Sequence, residues 1–426
     1  MRQRVLTLLQ WSWLGAIVGI ACGGASALFL VLLERVTTYR GNHERIVYLL
    51  PVAGLFVGAI YDRWGASIQG GNSLVIDTIH EPRAKLPLRM APMVLLGTVL
   101  THLFGGSAGR EGTAVQMGAS LADAIAHRLH VSPEMRRKLL AAGMAGGFGS
   151  VFGTPIAGTF FGLEVLAVGR VEYDALVPAL VASTVGDYVT RQLGILHTAY
   201  PAVPYVPMTP LLLAKLAIVG VAMALATIAF VELTHRTKRL ADRIVRLPLR
   251  MFAGGVILVV MWKAVGTSDY LGLGVPTIVS AFRDPHVPAI AFALKIAFTA
   301  VTLASGFLGG EVTPLFFVGA TLGSVVARTA HLPLELGAGV GLAAVFGAAA
   351  NTPIALSIMA VELIGAHALP HVVIVTVTAY LLSGHRGIYP AQRLWRRKHG
   401  GELLAHPVAL RNYRSEVPPK TEGGQR

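Results

Sequence analysis

Three long windows of the chain, Trp11–Leu33, Ala141–Leu163 and Ala338–Val361, contain no Asp, Glu, Lys or Arg. A helix of about 20 residues crosses the hydrocarbon core of a bilayer, so each window is long enough to span one. With 54% of its 426 residues apolar and 14% charged, the chain reads as an all-α integral membrane protein. Arg2 and Arg4 precede an apolar run longer than the h-region of a secretory leader, about 7–15 residues, and further apolar segments follow, so cleavage is not expected. Cys22 is the single cysteine; a disulfide within the chain is excluded, and packing explains the residue better than a lipoprotein site at Gly19–Cys22.

The net charge of +14 would suggest nucleic acid in a soluble protein. Here the basic residues cluster at the ends of apolar segments, at 136–138, 236–250 and 396–398. The positive-inside rule accounts for them as cytoplasmic loops and a cytoplasmic C-terminal tail, with anionic lipid headgroups as partners and no nucleic acid. The residues from about Gly401 are polar and read as a disordered tail over 401–426.

Thr154-Pro155-Ile156-Ala157 is followed by Glu164, nine residues after its proline, and Thr352-Pro353-Ile354-Ala355 is followed by Glu362 at the same distance. Upstream, Gly118-Ala119-Ser120-Leu121 matches Gly319-Ala320-Thr321-Leu322, each behind a glycine-rich run. Ordered matches at offsets of 198 and 201 residues argue for duplication rather than for two small-residue helices alike by chance. Pro201, Pro204, Pro207 and Pro210 mark the break, giving a first transmembrane repeat over 1–200 and a second over 211–400. Internal repeats with Gly/Pro-interrupted segments are a signature of transporters whose substrate sits where the broken helices converge.

A glycine-rich break followed by a helix start binds anions, because unpaired N–H groups and the positive end of the helix dipole face one point. Glu111-Gly112-Thr113 and Val312-Thr313-Pro314 both read as such starts, so the backbone of Gly112, Thr113 and Val312 is expected to face the ion. Asn72, Thr313 and Tyr389 add an amide, a hydroxyl and a phenol near the breaks, suited to chloride, fluoride or a nitrate-like ion. Glu111 would compete for the same donors as a carboxylate and leave them when protonated, which makes it a gate that swaps protons for anions. A purely structural pair with Arg110 is the plainer alternative. Glu164 and Glu362 recur at equivalent places and read as structural, holding backbone donors at a bend. His367 and His371 are interrupted by Pro370 and lack an acidic or Cys partner, so no metal or other cofactor is expected.

Gly-Arg-Glu-Gly at Gly109–Gly112, the run Gly309–Pro314 and Tyr389 resemble the CLC superfamily of chloride channels and proton-coupled anion exchangers, from Trp11 to about Arg397. The resemblance implies an inverted-repeat bundle of many tilted and broken helices, a homodimer with one anion path per subunit, and Glu111 as the external gate. Thr113 stands where most of the family has proline, and Gly71-Asn72-Ser73-Leu74-Val75 replaces a Gly-Ser-Gly-Ile-Pro loop. These departures resemble the bacterial fluoride-exporting branch, in which Asn72, Thr313 and Tyr389 match ion-coordinating positions. The implied activity is fluoride/proton antiport across the bacterial cytoplasmic membrane. Val165 occupies the place of a second glutamate common in chloride/proton exchangers, so Glu111 is expected to serve both ions. The alternatives are a chloride or nitrate exchanger, or a passive chloride channel, on the same fold. A membrane hydrolase with Ser107 in a Gly-x-Ser-x-Gly elbow would need a preceding strand and a His partner.

Overall fold

The computed structural model describes residues 1–81, 85–398, 400 and 403–413. The first half contains α1 (Arg2–Asn42), α2 (Leu50–Trp64), α3 (Asn72–His80), α4 (Met90–Leu103), α5 (Glu111–Arg128), α6 (Pro133–Phe152), α7 (Pro155–Glu164) and α8 (Leu176–Gln192). The second contains α9 (Pro210–Ala241), α10 (Leu247–Val265), α11 (Val275–Ser280), α12 (Ala291–Ala304), α13 (Val312–Ala330), α14 (Leu334–Ala350), α15 (Pro353–Ile364) and α16 (Leu369–Leu382). Residues 193–209 between them hold neither helix nor strand. The prolines there supply no backbone donor, and α9 starts with Pro210 in its first turn while the Thr209 hydroxyl accepts from Leu212 N at 3.1 Å.

Two of the three uncharged windows are not single spanning helices. Ala141–Leu163 is divided between α6 and α7, and Ala338–Val361 between α14 and α15. Each first helix ends on a left-handed residue, Gly153 at φ +76 or Asn351 at φ +58, and each second helix starts at the proline two residues later. Glycine and asparagine adopt that conformation at low cost, and proline cannot continue a helix, so hydropathy alone missed the break.

Close backbone approach holds the corresponding layers together. A Cβ at Gly118 would run into the Gly143 carbonyl, and one at Gly319 into that of Gly341, so α5 lies on α6 as α13 lies on α14. Without hydrophobic drive inside lipid, such small-residue contacts are how helices gain packing energy. Phe148 stacks on Phe161 at 4.3 Å in the first half and Phe346 meets Phe316 at 5.7 Å in the second, and Phe148 and Phe346 meet across the halves at 6.3 Å. Lys295 is fully buried in α12, where its side-chain nitrogen donates to the carbonyls of Tyr270 and Gly272, and Gly272 N in turn donates to Gly106 O at 3.0 Å.

The expected loose tail is corrected in its first part. Leu403–Ala409 is a strand, β3, paired antiparallel with β2 (Arg393–Arg396), which pairs parallel with β1 (Ala167–Val168). Leu394 and Ala409 are buried in this small sheet, so the segment has apolar anchors that its polar neighbours obscure in sequence. Residues 414–426 lie outside the described part of the tail.

Candidate ion-binding site

The two glycine-rich runs meet each other. Gly109 N donates to Gly310 O at 2.6 Å and Gly310 N to Gly109 O at 2.8 Å, a reciprocal bridge. No side chain fits at the crossing, since a Cβ at Gly310 would lie 2.7 Å from Gly112 N. Helices α5 and α13 begin next to this bridge at Glu111 and Val312, as the sequence predicts, and point their first N–H groups into one region.

A carboxylate already occupies that region. Glu111 is completely buried. Its Oε2 accepts from Arg110 N at 3.1 Å and from Thr313 N at 3.2 Å, one donor from each helix start. Its Oε1 accepts from the Thr313 hydroxyl at 2.6 Å and lies 3.4 Å from Arg110 Nε. The structure therefore places Glu111, Arg110 and Thr313 in one cluster, with the carboxylate of Glu111 held as an anion is held at a helix N-terminus. The ion pair with Arg110 is present, but it is one contact among several.

Asn72, Thr113 and Tyr389 come together in a different place, the wall of a cavity of about 310 Å³. Asn72 opens α3 after Gly70 at φ +114 and Gly71 at φ +52, left-handed positions that need glycine. Its amide nitrogen would lie 3.1 Å from a Cβ at Gly112, so Gly112 is the surface against which Asn72 packs. Asn72 Oδ1 is buried without a hydrogen-bond partner. The Thr113 hydroxyl pairs with that of Thr98 at 2.7 Å. Tyr389 is held from behind, with Ile388 N donating to Ala349 O at 2.9 Å and Gln392 N to Tyr389 O at 3.1 Å. Val312 is buried at the start of α13 and lines neither cavity.

Lys238 and Arg250 border the same cavity. A second cavity of about 410 Å³ is bordered by Glu34, Thr37, Arg110, His197 and Thr198. Neither reaches Glu111: Arg110 borders one and Thr113 the other. Glu111 thus stands between the two cavities.

Glu164 and Glu362 line neither cavity and bind backbone. Glu164 accepts from Ile354 N and Ala355 N at 3.2 and 2.8 Å; Glu362 accepts from Ile156 N and Ala157 N at 3.0 and 2.8 Å. His371 uses one ring nitrogen on Val206 O at 3.0 Å, and among the described residues no group of three His, Cys, Asp or Glu could hold a metal. Ser107 follows helix α4 rather than a strand and its hydroxyl pairs with Thr299 at 3.1 Å, so the nucleophile elbow has no counterpart.

Sequence reasoning passed over Glu311, which lines the first cavity beside Tyr389, and Thr98 and Gln116, which share its wall. Glu311 has a signal of its own, a carboxylate directly before the second helix start.

A family model described as voltage gated chloride channel matches residues 53–384. The chain belongs to this family. It is 46% identical over 399 residues, 92% of its own length and 88% of the relative's, to a chloride/fluoride channel protein of Pseudomonas syringae pv. tomato. Its fold matches the crystal structure of a CLC-type fluoride/proton antiporter with a TM-score of 0.88 and 36% identity, covering 91% of this chain and 98% of that one. A slow cyanobacterial Cl−/H+ antiporter shares the fold at a TM-score of 0.79 and 17% identity, covering 88% and 94%. The CLC-type inverted-repeat bundle expected from the sequence is therefore the fold, and the protein is a multi-pass membrane protein of an ion-transporting family.

Proposed function

We propose that this CLC-family protein is a fluoride/proton antiporter of the bacterial cytoplasmic membrane, exporting fluoride in exchange for protons, with Glu111 as gate and proton carrier. The observation that carries the reading is the Glu111 carboxylate accepting N–H groups from both helix starts, Arg110 N and Thr313 N. Those donors suit any small anion, so the ionised side chain and a transported ion exclude each other. Protonation removes the charge, weakens the charge-assisted bonds and lets the side chain leave the donors to an ion.

Fluoride enters from the side of Lys238 and Arg250, the cytoplasmic side by the positive-inside rule, where the two cations share the single carboxylate of Asp242 and leave a net positive charge that attracts anions. Asn72 and the Tyr389 phenol meet it on the cavity wall. The Thr313 hydroxyl and the amides of Gly112, Thr113 and Val312 complete its shell as Glu111 withdraws. Fluoride holds water tightly, so its release from hydration needs several strong donors at once, and this set supplies them. A proton arriving on the Arg110 side neutralises Glu111 and is passed inward as the ion passes outward. With Val165 in place of a second glutamate, both ions use this residue. Residues 1–200 and 211–400 act as the two repeats, Glu164 and Glu362 as their struts, and the chain works as a homodimer in contact with membrane lipids.

A chloride exchanger or passive channel is the second reading, favoured by the chloride/fluoride channel name of the Pseudomonas relative. Liposome efflux followed in parallel with fluoride and chloride electrodes, with internal pH recorded, separates the two. Fast fluoride release with little chloride release and opposed proton movement is expected. Chloride flux equal to or faster than fluoride flux would remove the fluoride assignment.

A further inference from the structure

Asn72 and Tyr389 face one cavity but belong to segments far apart in sequence, and one residue touches both segments from behind. Arg411 follows β3 in a short helical turn. Its guanidinium makes a two-pronged pair with Asp77 of α3, Nη1 to Oδ2 at 2.8 Å and Nη2 to Oδ1 at 3.1 Å. Its own backbone N–H donates to Pro390 O at 2.9 Å, directly after Tyr389. Asp77 lies five residues into the helix that Asn72 opens.

We propose that Arg411 is a positioning residue that locks the Asn72 helix to the Tyr389 loop and so sets the geometry of the cytoplasmic half of the ion site. Helix α3 has only nine residues and hangs on the left-handed pair Gly70 and Gly71, so its backbone connection does not fix its direction. Its far end carries the restraints: Asp77 to Arg411 and, at 3.5 Å, to Arg393; Glu81 to Arg393 at 2.8 Å; and the His80 ring to Leu166 O at 3.0 Å. The Tyr389 loop is tied to the same sheet, with Leu410 N donating to Gln392 O at 2.9 Å. Gln392 in turn donates from Nε2 to Val165 O at 2.9 Å and Ala350 O at 2.7 Å, joining helix ends from both halves. The strand following the tryptophan and arginine run at 395–397 is thus a clamp on the site. A planar guanidinium that meets a carboxylate with two parallel bonds fixes orientation as well as distance, which a lysine cannot do.

The test uses the full chain and two independent readouts. Cys22 is the only cysteine and is buried, so Ser73→Cys, on the cavity wall beside Asn72, is a clean reporter for a small methanethiosulfonate reagent. Arg411→Ala in that background is expected to speed labelling about 3- to 10-fold, the range typical of substitutions that alter coupling without touching the ligand. Without the reporter, the same substitution is expected to lower the fluoride-to-chloride flux ratio by a similar factor. Arg411→Lys is expected to fall in between. Unchanged labelling and an unchanged ratio in Arg411→Ala would overturn the proposal. The flux arm rests on the fluoride reading above. The labelling arm does not, so a wild-type protein that carries no fluoride would sink that reading while leaving the clamp to be judged by Ser73→Cys alone.

Discussion

Glu164 and Glu362 cap each other's helices: the carboxylate at the end of α7 takes the first free N–H groups of α15, and the carboxylate at the end of α15 takes those of α7. Each carboxylate therefore satisfies two donors that a helix start leaves open and sits at the positive end of a helix dipole. The reciprocity explains why the glutamates recur at the same distance after their prolines. Neither helix could be shortened or turned without unpairing a charge and two amides in a low-dielectric interior.

Glu164→Ala or Glu362→Ala is expected to destabilise the protein by about 2 kcal/mol each, the scale of charge-assisted bonds to backbone donors. Thermal unfolding of the purified protein in detergent measures this. Proton coupling in liposomes should survive Glu164→Gln. A Glu164→Gln protein that still moves fluoride but no longer moves protons would make this residue part of the proton route instead of a strut.

For Glu111 the expectation is the reverse. Its burial and its place on the donors of both helix starts tie function, rather than folding, to its charge. Glu111→Gln keeps the size and removes the titration, so acid outside the vesicle should no longer drive fluoride movement. Acid-driven transport of undiminished rate in Glu111→Gln would end its assignment as proton carrier.

Much of this site was legible because its chemistry is local. A helix start after glycines can be read from neighbouring residues, and Glu111, Thr313 and the repeated glutamates all follow from short spacings. Contacts made by distant segments were not. The bridge of Gly109 to Gly310 and the use of Glu311 and Thr98 as cavity wall depend on how the halves meet, which periodicity does not encode. The breaks after Phe152 and Ala350 escaped a hydropathy reading because glycine is nearly neutral in hydropathy and the single Asn351 is averaged out by the apolar residues on both sides of it. The strand at 403–409 escaped because its anchors are few and its partner is another short strand.

Selectivity should respond to Asn72 on the cavity wall and to Thr313 beside Glu111. Asn72→Ser shortens an amide that packs on Gly112, and Thr313→Ala removes the hydroxyl now bonded to Glu111 at 2.6 Å. Losing one strong donor costs about 1–2 kcal/mol, and the loss falls harder on fluoride, whose hydration is the harder to replace. The fluoride-to-chloride flux ratio is therefore expected to drop roughly tenfold in each variant. Identical ratios in wild type and both variants would detach Asn72 and Thr313 from the ion.

The crossing of the two runs gives the sharpest steric test. Gly310 donates to and accepts from Gly109, and the direction of its missing side chain points at Gly112 N, 2.7 Å from where a Cβ would stand. That neighbour is backbone at the start of α5, so it cannot swing aside as a long side chain could. Gly310→Ala must push the two helix starts apart by a few tenths of an ångström or more, which separates the Arg110 and Thr313 donors that Glu111 spans. Overpacking of this kind costs about 1–3 kcal/mol, small enough for the protein still to fold in the membrane. Fluoride flux is expected to fall at least tenfold while the elution profile in detergent stays that of wild type. A Gly310→Ala protein with wild-type flux and wild-type melting would mean that the bridge is not a fixed part of the site.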